Sequence, residues 1–369
     1  MHTPFLPLCV ILLSILLQAC ASKEPTPYVY ERPEGAAVTV KESQATFIQS
    51  LHPRNQAMRS WMNLAPSIDK SLQYVSSKPE DRIAVDRKGL HMTFGDMKKT
   101  LLTLKNLLPK LDKDPSLFAE YFTWVPIENG INYSSYYSPV VRASKTPKKG
   151  YTHPIYRRPP DLHDGERYYS RREIEAEKKL ADRNLELAWA ADPVDVFFLE
   201  IQGSGCLLMD NGERICINYD GKNGHKYISS GKIMGRRGLL KRGDIFEQRQ
   251  WFKDHPDQVT EILHENPSFI FFKLGGKGPT GAMGYIVDAW KSLATDKRVI
   301  PLGSVVAYGV NIPDPKYGTI PLRGIGFAQD VGGAIKKNRI DIYAGEDERA
   351  NYVASFLDAK GPAWVLKAK

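Results

Sequence analysis

Residues 339–343 (RIDIY) alternate in the period-two pattern of a half-buried strand. Ile340 and Ile342 are expected to face a core, with Arg339, Asp341 and Tyr343 on the other face. Residues 323–329 read as another strand, and Asp330 ends it where the chain breaks into Gly332-Gly333. Apolar residues recur at helical spacing over 55–64 and 94–111, the second stopped by Asp112-Lys113-Asp114-Pro115. Strands are expected over 122–127, 132–141, 195–201, 268–273 and 299–310. Ser170-Arg171-Arg172-Glu173 is a capping box and predicts a charged helix through Asn184. Short helices are expected over 244–252 and 256–264.

Asp210-Asn211-Gly212 predicts a tight hairpin with Gly212 left-handed, pairing Met209 with Glu213. That register sets Cys206 opposite Cys216. A disulfide and a pair of packed thiols both remain open, and two thiols without a CxxC pattern do not make a zinc site. The glycine-rich stretch 275–284 lacks the residue order of a phosphate loop. Glycines beside Lys222, Asn223 and His225 suggest either backbone close to a ligand or a polar tight turn.

Composition is that of an ordinary globular protein, with 42% hydrophobic and 25% charged residues. At 369 residues the chain has room for two domains. A net charge of +9 suits an anionic partner. Basic residues cluster at Lys145, Lys148, Lys149, Arg157, Arg158, Arg171 and Arg172, and at Arg236, Arg237, Lys241 and Arg242. No nucleic-acid motif accompanies them, so they read as solvated faces and no nucleic-acid partner is expected. Residues 5–17 form an apolar run too short to span a bilayer, followed by Leu17-Gln18-Ala19-Cys20. This resembles a bacterial lipoprotein signal (1–19) with lipid on Cys20, although the segment before the apolar run has His2 and no Lys or Arg. Residues 20–45 read as a flexible tether.

Two carboxyls on rigid elements can divide proton-transfer work when their surroundings separate their pKa values. Spacing alone leaves the plainer alternative open: Asp330 caps a turn and Asp341 faces water.

Seven segments together resemble the membrane-bound lytic murein transglycosylase A family. They are SSYYSPVVRA (134–143), HPIYRRPP (153–160), FLEIQGSG (198–205), YDGKNGHKYISSGK (219–232), ENPSFIFFK (265–273), SLATDKRVIPLG (292–303) and AQDVGGAIK with RIDIYAG (328–345). The resemblance implies an α+β, mainly β fold. A double-psi β-barrel is built from 46–138 and 266–369, with a second β-rich domain inserted at 139–265 and a groove between them. It also implies cleavage of the β-1,4 bond between N-acetylmuramic acid and N-acetylglucosamine, leaving a 1,6-anhydro end.

By the same route Asp341 is the expected acid and base, with Asp330 its supporting carboxyl. The expected sugar contacts are Ser134, Tyr136, Tyr137 and Tyr343 on one wall and Gln202, Ser204, Lys222, Asn223 and His225 on the other. No metal or cofactor is expected. The expected partners are peptidoglycan glycan strands, the outer membrane of a Gram-negative bacterium through a periplasm-facing lipid anchor, and other cell-wall synthesis or hydrolysis enzymes. Ser135, Lys337 and the run Gly345-Glu346-Asp347 depart from family glycines and bear on the groove near Asp341. Two other functions fit the residues: a hydrolase in which Asp330 activates water, and a non-catalytic wall-binding lipoprotein.

Overall fold

The computed structural model describes residues 36–127 and 130–369. The expected signal segment, Cys20 and the tether up to residue 35 lie outside the described residues. From residue 36 the chain is not free, as a tether through 45 would be. The Asn311 side chain accepts from Val38 N–H at 2.8 Å and donates to its carbonyl at 2.9 Å, imitating a strand partner. Glu42 and Arg323 form a buried ion pair at 2.8 Å.

Helix α1 (Gln44–Gln49) follows, capped by Ser43. The helix expected over 55–64 is instead two 3₁₀ turns, Pro53–Gln56 and Trp61–Leu64, broken by Ala57 in the left-handed region at φ 54°. Then come α2 (Ala65–Ser76), the hairpin β1 (Ile83–Arg87) and β2 (Leu90–Thr93), and α3 (Phe94–Leu111). Helix α3 has its expected bounds, because a Thr93–Asp96 capping box opens it and Met97, Leu101, Leu104, Leu108 and Leu111 bury one stripe. Short α4 (Leu117–Tyr121) leads into β3 (Phe122–Pro126) and β4 (Ile131–Tyr136).

The chain then leaves for a second sheet. Its strands are β5 (Val140–Ser144), β6 (His153–Tyr156), β7 (Glu186–Ala190), β8 (Ser204–Met209), β9 (Arg214–Lys222) and β10 (Ile270–Leu274), in the spatial order β10-β9-β8-β5-β7-β6. Because β10 pairs with β9, this domain runs to residue 274, beyond the boundary expected at 265. Helix α5 (Arg171–Glu175) has its capping box but stops after five residues, and Lys178, Asp182 and Asn184 then take positive φ.

Residues 195–201 are not a strand. They lie in α6 (Pro193–Gln202), opened by Asp192, whose carboxylate accepts from Val194 N–H at 2.8 Å. The helix is apolar on opposite sides. Val196 and Leu199 pack on the sheet. Val194, Phe197 and Phe198 pack on a cluster formed with α7 (Ser230–Arg236), α8 (Ile245–Asp254) and α9 (Val259–His264). A helix apolar nearly all round has the sequence texture of a buried strand.

Nor is Arg171 part of a solvated basic face. It is fully buried, stacked between Phe197 and Phe269 at 4.9 and 5.1 Å, and bonded to Glu200 at 2.6 Å and Glu175 at 2.8 Å. The β8–β9 hairpin turns as expected: Gly212 has φ 84° and Met209 N–H donates to the Glu213 carbonyl at 2.8 Å. Cys206 stands opposite Cys216, and the two are joined as a disulfide.

Back in the first domain come β11 (Ser292–Thr295), β12 (Val305–Asp314), β13 (Gly318–Asp330), β14 (Arg339–Tyr343), α10 (Glu348–Phe356), β15 (Ala359–Gly361) and β16 (Ala363–Ala368). Hydrogen bonding runs β4-β14-β11-β13-β12-β16. The ring closes because β15 and β16 are one stretch interrupted by Pro362: β15 pairs with β4, and β16 pairs with β12. The result is the double-psi barrel, filled by side chains such as Leu293, Ile325, Phe327, Ile340, Ile342 and Val365.

Candidate active site

The strands that carry the two aspartates are not neighbours. Between them lies β11, whose Ala294 is in register with Asp330 of β13 on one side and Asp341 of β14 on the other. On the far side of β14, β4 sets Ser134 against Asp341. One rung therefore reads Asp330, Ala294, Asp341, Ser134, and aligned residues on adjacent strands share a face. Strand spacing puts the two aspartate backbones about 10 Å apart. The residue in register between them on β11 is Ala294, which carries only a methyl.

The two carboxyls have different donors. Asp341 Oδ1 accepts from Ser134 Oγ at 2.7 Å, and Arg339 Nε donates to that same Oγ at 3.2 Å. Asp330 accepts from three groups: Tyr136 Oη at 2.8 Å on Oδ2, and Ala282 N–H at 2.9 Å and Val331 N–H at 2.8 Å on Oδ1. Burial pushes Asp341 up to about 6, against the pull of Ser134 and Arg339 and with a small push from Asp330. Burial raises Asp330 too, but its three donors all oppose the rise. Burial and the aspartates hold the Tyr136 phenol well above its ordinary range, so it stays a donor. The pair thus divides into a carboxyl inclined to hold a proton and one furnished as an anion.

The Asp330 loop depends on a close approach. A side chain at Gly281 would begin 2.7 Å from the Gln329 carbonyl, so only glycine lets Ala282 present its N–H. The second domain fastens the same loop: Thr280 N–H donates to Asn218 Oδ1 at 2.7 Å. Among the described residues no cluster of His, Cys, Asp or Glu could hold a metal ion.

Comparison with known proteins fits this construction. Residues 132–273 match the family described as MltA specific insert domain, and residues 291–367 match the 3D domain. Membrane-bound lytic murein transglycosylase A of Escherichia coli strain K12 is 37% identical over 245 residues, 64% of this chain. That stretch spans 66% of the E. coli protein, just under two thirds of its length. A homolog from Buchnera aphidicola is 32% identical over 248 residues, covering 64% of this chain and 66% of that one. Among solved structures, E. coli MltA with bound chitohexaose superposes with a TM-score of 0.70 at 29% identity, covering 83% of this chain and 90% of that one. The membrane-bound lytic murein transglycosylase from Agrobacterium tumefaciens gives 0.69 at 26%, covering 83% and 92%. In sequence and in fold the chain is similar to the lytic murein transglycosylase A family.

The remaining candidates sort by what they touch. Ser134 and Tyr136, expected as sugar contacts, each hydrogen-bond an aspartate. Tyr343 is buried, its ring 5.1 Å from that of Tyr136 and its hydroxyl 3.1 Å from Ser138 Oγ. Tyr137 is also buried, and its N–H donates to Gln202 Oε1 at 3.2 Å. Ser204 pairs with Asn218 at the start of β8.

Asn223 is a correction. It is fully buried, donating to the carbonyls of Tyr169 and Pro267 and accepting from Phe269 N–H, so it clips loops together and offers nothing to a ligand. His225 Nε2 lies 2.8 Å from the Tyr168 carbonyl, within the inserted domain. Lys222 ends β9 in solvent. None of these three is brought to the aspartate rung. The glycines around them make tight turns, the plainer of the two readings.

Of the family departures, Ser135 turns into the core and donates to the Ile342 carbonyl at 2.8 Å, so it does not narrow the groove. Lys337 takes a left-handed conformation of the kind glycine favours, at φ 55°. Glu346 pairs with Arg214 and so ties the second domain to the loop after β14. Arg339, Ala294 and Ala282 were not expected in the site. Only the alternation of RIDIY, which puts Arg339 on the face of Asp341, carried a signal for any of them.

Proposed function

We propose that this chain cleaves the MurNAc-β-1,4-GlcNAc bond of peptidoglycan by intramolecular transglycosylation. The observation that carries the reading is the unequal pair on one rung: Asp341 raised to about 6 with one donor, Asp330 furnished with three. Protonated Asp341 gives its proton to the glycosidic oxygen as the C1–O4 bond breaks, and positive charge develops at C1. The Asp330 carboxylate faces that charge. The 6-hydroxyl of the same muramic residue then bonds to C1, and its proton returns to Asp341. No water is consumed, and the acid is regenerated.

Hydrolysis with Asp330 as base is less favoured, because two N–H groups on its Oδ1 and Tyr136 on its Oδ2 lower its basicity and leave one acceptor site, on Oδ2. The test is digestion of sacculi in ¹⁸O-water with mass analysis. Unlabelled anhydro ends, one water lighter than reducing ends, support transglycosylation. Labelled reducing ends overturn it, and sacculus binding without release of fragments points to a wall-binding protein.

The relatives' name, membrane-bound, supports a further part of the proposal: an outer-membrane anchor on Cys20 with the enzyme facing the periplasm. Among the described residues no helix is long and apolar enough to cross a membrane. Replacing Cys20 with Ala should move the protein to the soluble fraction. Gln202 and Ser204 are the groove residues for which sugar contact is proposed, because Gln202 spends its carbonyl on Tyr137 and keeps its amide NH₂ to offer.

A further inference from the structure

Arg339 and Ser134 form a relay with a fixed direction. A guanidinium has only donors, so the Arg339 Nε contact obliges Ser134 Oγ to accept. A serine hydroxyl has one hydrogen. With Oγ already accepting from Arg339, that hydrogen is directed at Asp341 Oδ1, 2.7 Å away. Oδ1 is then the oxygen that accepts, which disfavours a proton there and leaves Oδ2 the favoured seat for a proton on Asp341. We infer that Arg339 is a positioning residue: acting through Ser134, it fixes which oxygen of Asp341 carries the transferable proton and how the carboxyl is turned.

This rests on the proposed function and adds to it a residue that touches neither Asp341 nor the sugar. The register makes the device possible, since parallel pairing of β4 with β14 sets Ser134 beside Asp341 while Arg339, two residues earlier, shares its face. The charged and titratable groups facing Asp341 are Arg339 and Tyr343 from its own strand, Tyr136 from β4 and Asp330 from β13. Neighbouring β11 presents the uncharged Ala294.

The experiment compares wild type, Arg339→Gln, Arg339→Lys, Ser134→Ala and the Arg339→Gln/Ser134→Ala double variant. Kinetics on isolated sacculi are read beside a ¹³C carboxyl NMR titration of Asp341, assigned with Asp341→Asn. Arg339→Gln should lower kcat about tenfold with little change in KM, because alignment rather than binding is lost. It should also raise the midpoint of the Asp341 titration, because a cation has been removed. Arg339→Lys should recover most of both. In the Ser134→Ala background Arg339→Gln should cost much less in kcat, because the relay is already cut.

A rise in KM at constant kcat would make Arg339 a substrate contact and overturn the inference. Additive losses, or an unmoved Asp341 midpoint, would also overturn it. If wild type yields no anhydro ends, the transglycosylase reading fails, while the titration still decides whether Arg339 acts on Asp341.

Discussion

Replacing Asp341 with Asn should abolish bond cleavage and yet stabilise the protein, by an amount that depends on pH. In the folded chain burial lifts this carboxyl from an ordinary value of 3.8 to about 6. Each unit is worth ~1.4 kcal/mol, so the ionised form costs the fold about 3 kcal/mol at neutral pH, less whatever solvent relieves at this half-buried site. Because the folded value lies above the unfolded one, the contribution of the protonated carboxyl is fully present below pH 3.8 and is lost as pH rises through about 6. Asparagine keeps the shape and can keep the Ser134 bond through its own Oδ1, but it carries no charge at any pH. Urea denaturation should therefore find the variant ~1–3 kcal/mol more stable than wild type near pH 8, with the gap closing toward pH 4. Asp330 titrates in both proteins, so its direct contribution largely cancels in the difference. An offset of equal size at both pH values would refute the account, because it would place the effect in packing rather than in a held proton. A variant less stable near pH 8 would refute it as well.

Three other substitutions probe the surroundings. Tyr136→Phe keeps the ring against Tyr343 and removes one of three donors to Asp330. Initial rates on sacculi should fall about ten- to hundredfold, the worth of a hydrogen bond to a charged group, and an unchanged rate would remove Tyr136 from the mechanism. Arg171→Ala leaves Glu200 buried without its cation and should cost about 3–5 kcal/mol in denaturant unfolding, where a surface arginine would cost less than about 1. Lys337→Gly relieves a left-handed lysine while keeping its N–H on Asp296, so it should gain about 0.5–1 kcal/mol of thermal stability once the greater freedom of unfolded glycine is counted.

What could be read in advance follows from how far each property reaches along the chain. Strand β14 was legible to the residue because alternation is a local pattern, and so were the Gly212 turn and the start of α3. Helix α6 was misread for a physical reason. Buried on opposite sides by two clusters, it has no polar stripe to announce its period. Asn223 misled because a polar residue among glycines looks the same whether it meets a ligand or ties backbone carbonyls together. The boundary at 265 fell short because β10 belongs to the sheet it pairs with, and pairing is not local.

The same distinction explains which parts of the site stayed hidden. Asp330 and Asp341 lie 11 positions apart in one stretch of chain (341 − 330), so sequence could nominate them together. Only the family resemblance nominated Asp341; their spacing could not say which of the two would hold a proton. That is decided by partners from elsewhere: Ser134 and Tyr136 arrive 207 and 194 positions away, and Ala282 contributes only a backbone N–H, which no side chain advertises. The unequal donor sets come from the order of strands around the barrel. Ala294 of β11, in register between the two aspartates, carries only a methyl. The pairing of β4 with β14 lends Asp341 its single hydroxyl, and the glycine-rich loop brings Asp330 a backbone N–H that has no counterpart at Asp341. Exchanging the two aspartates' donors should therefore exchange their roles even if neither aspartate moved.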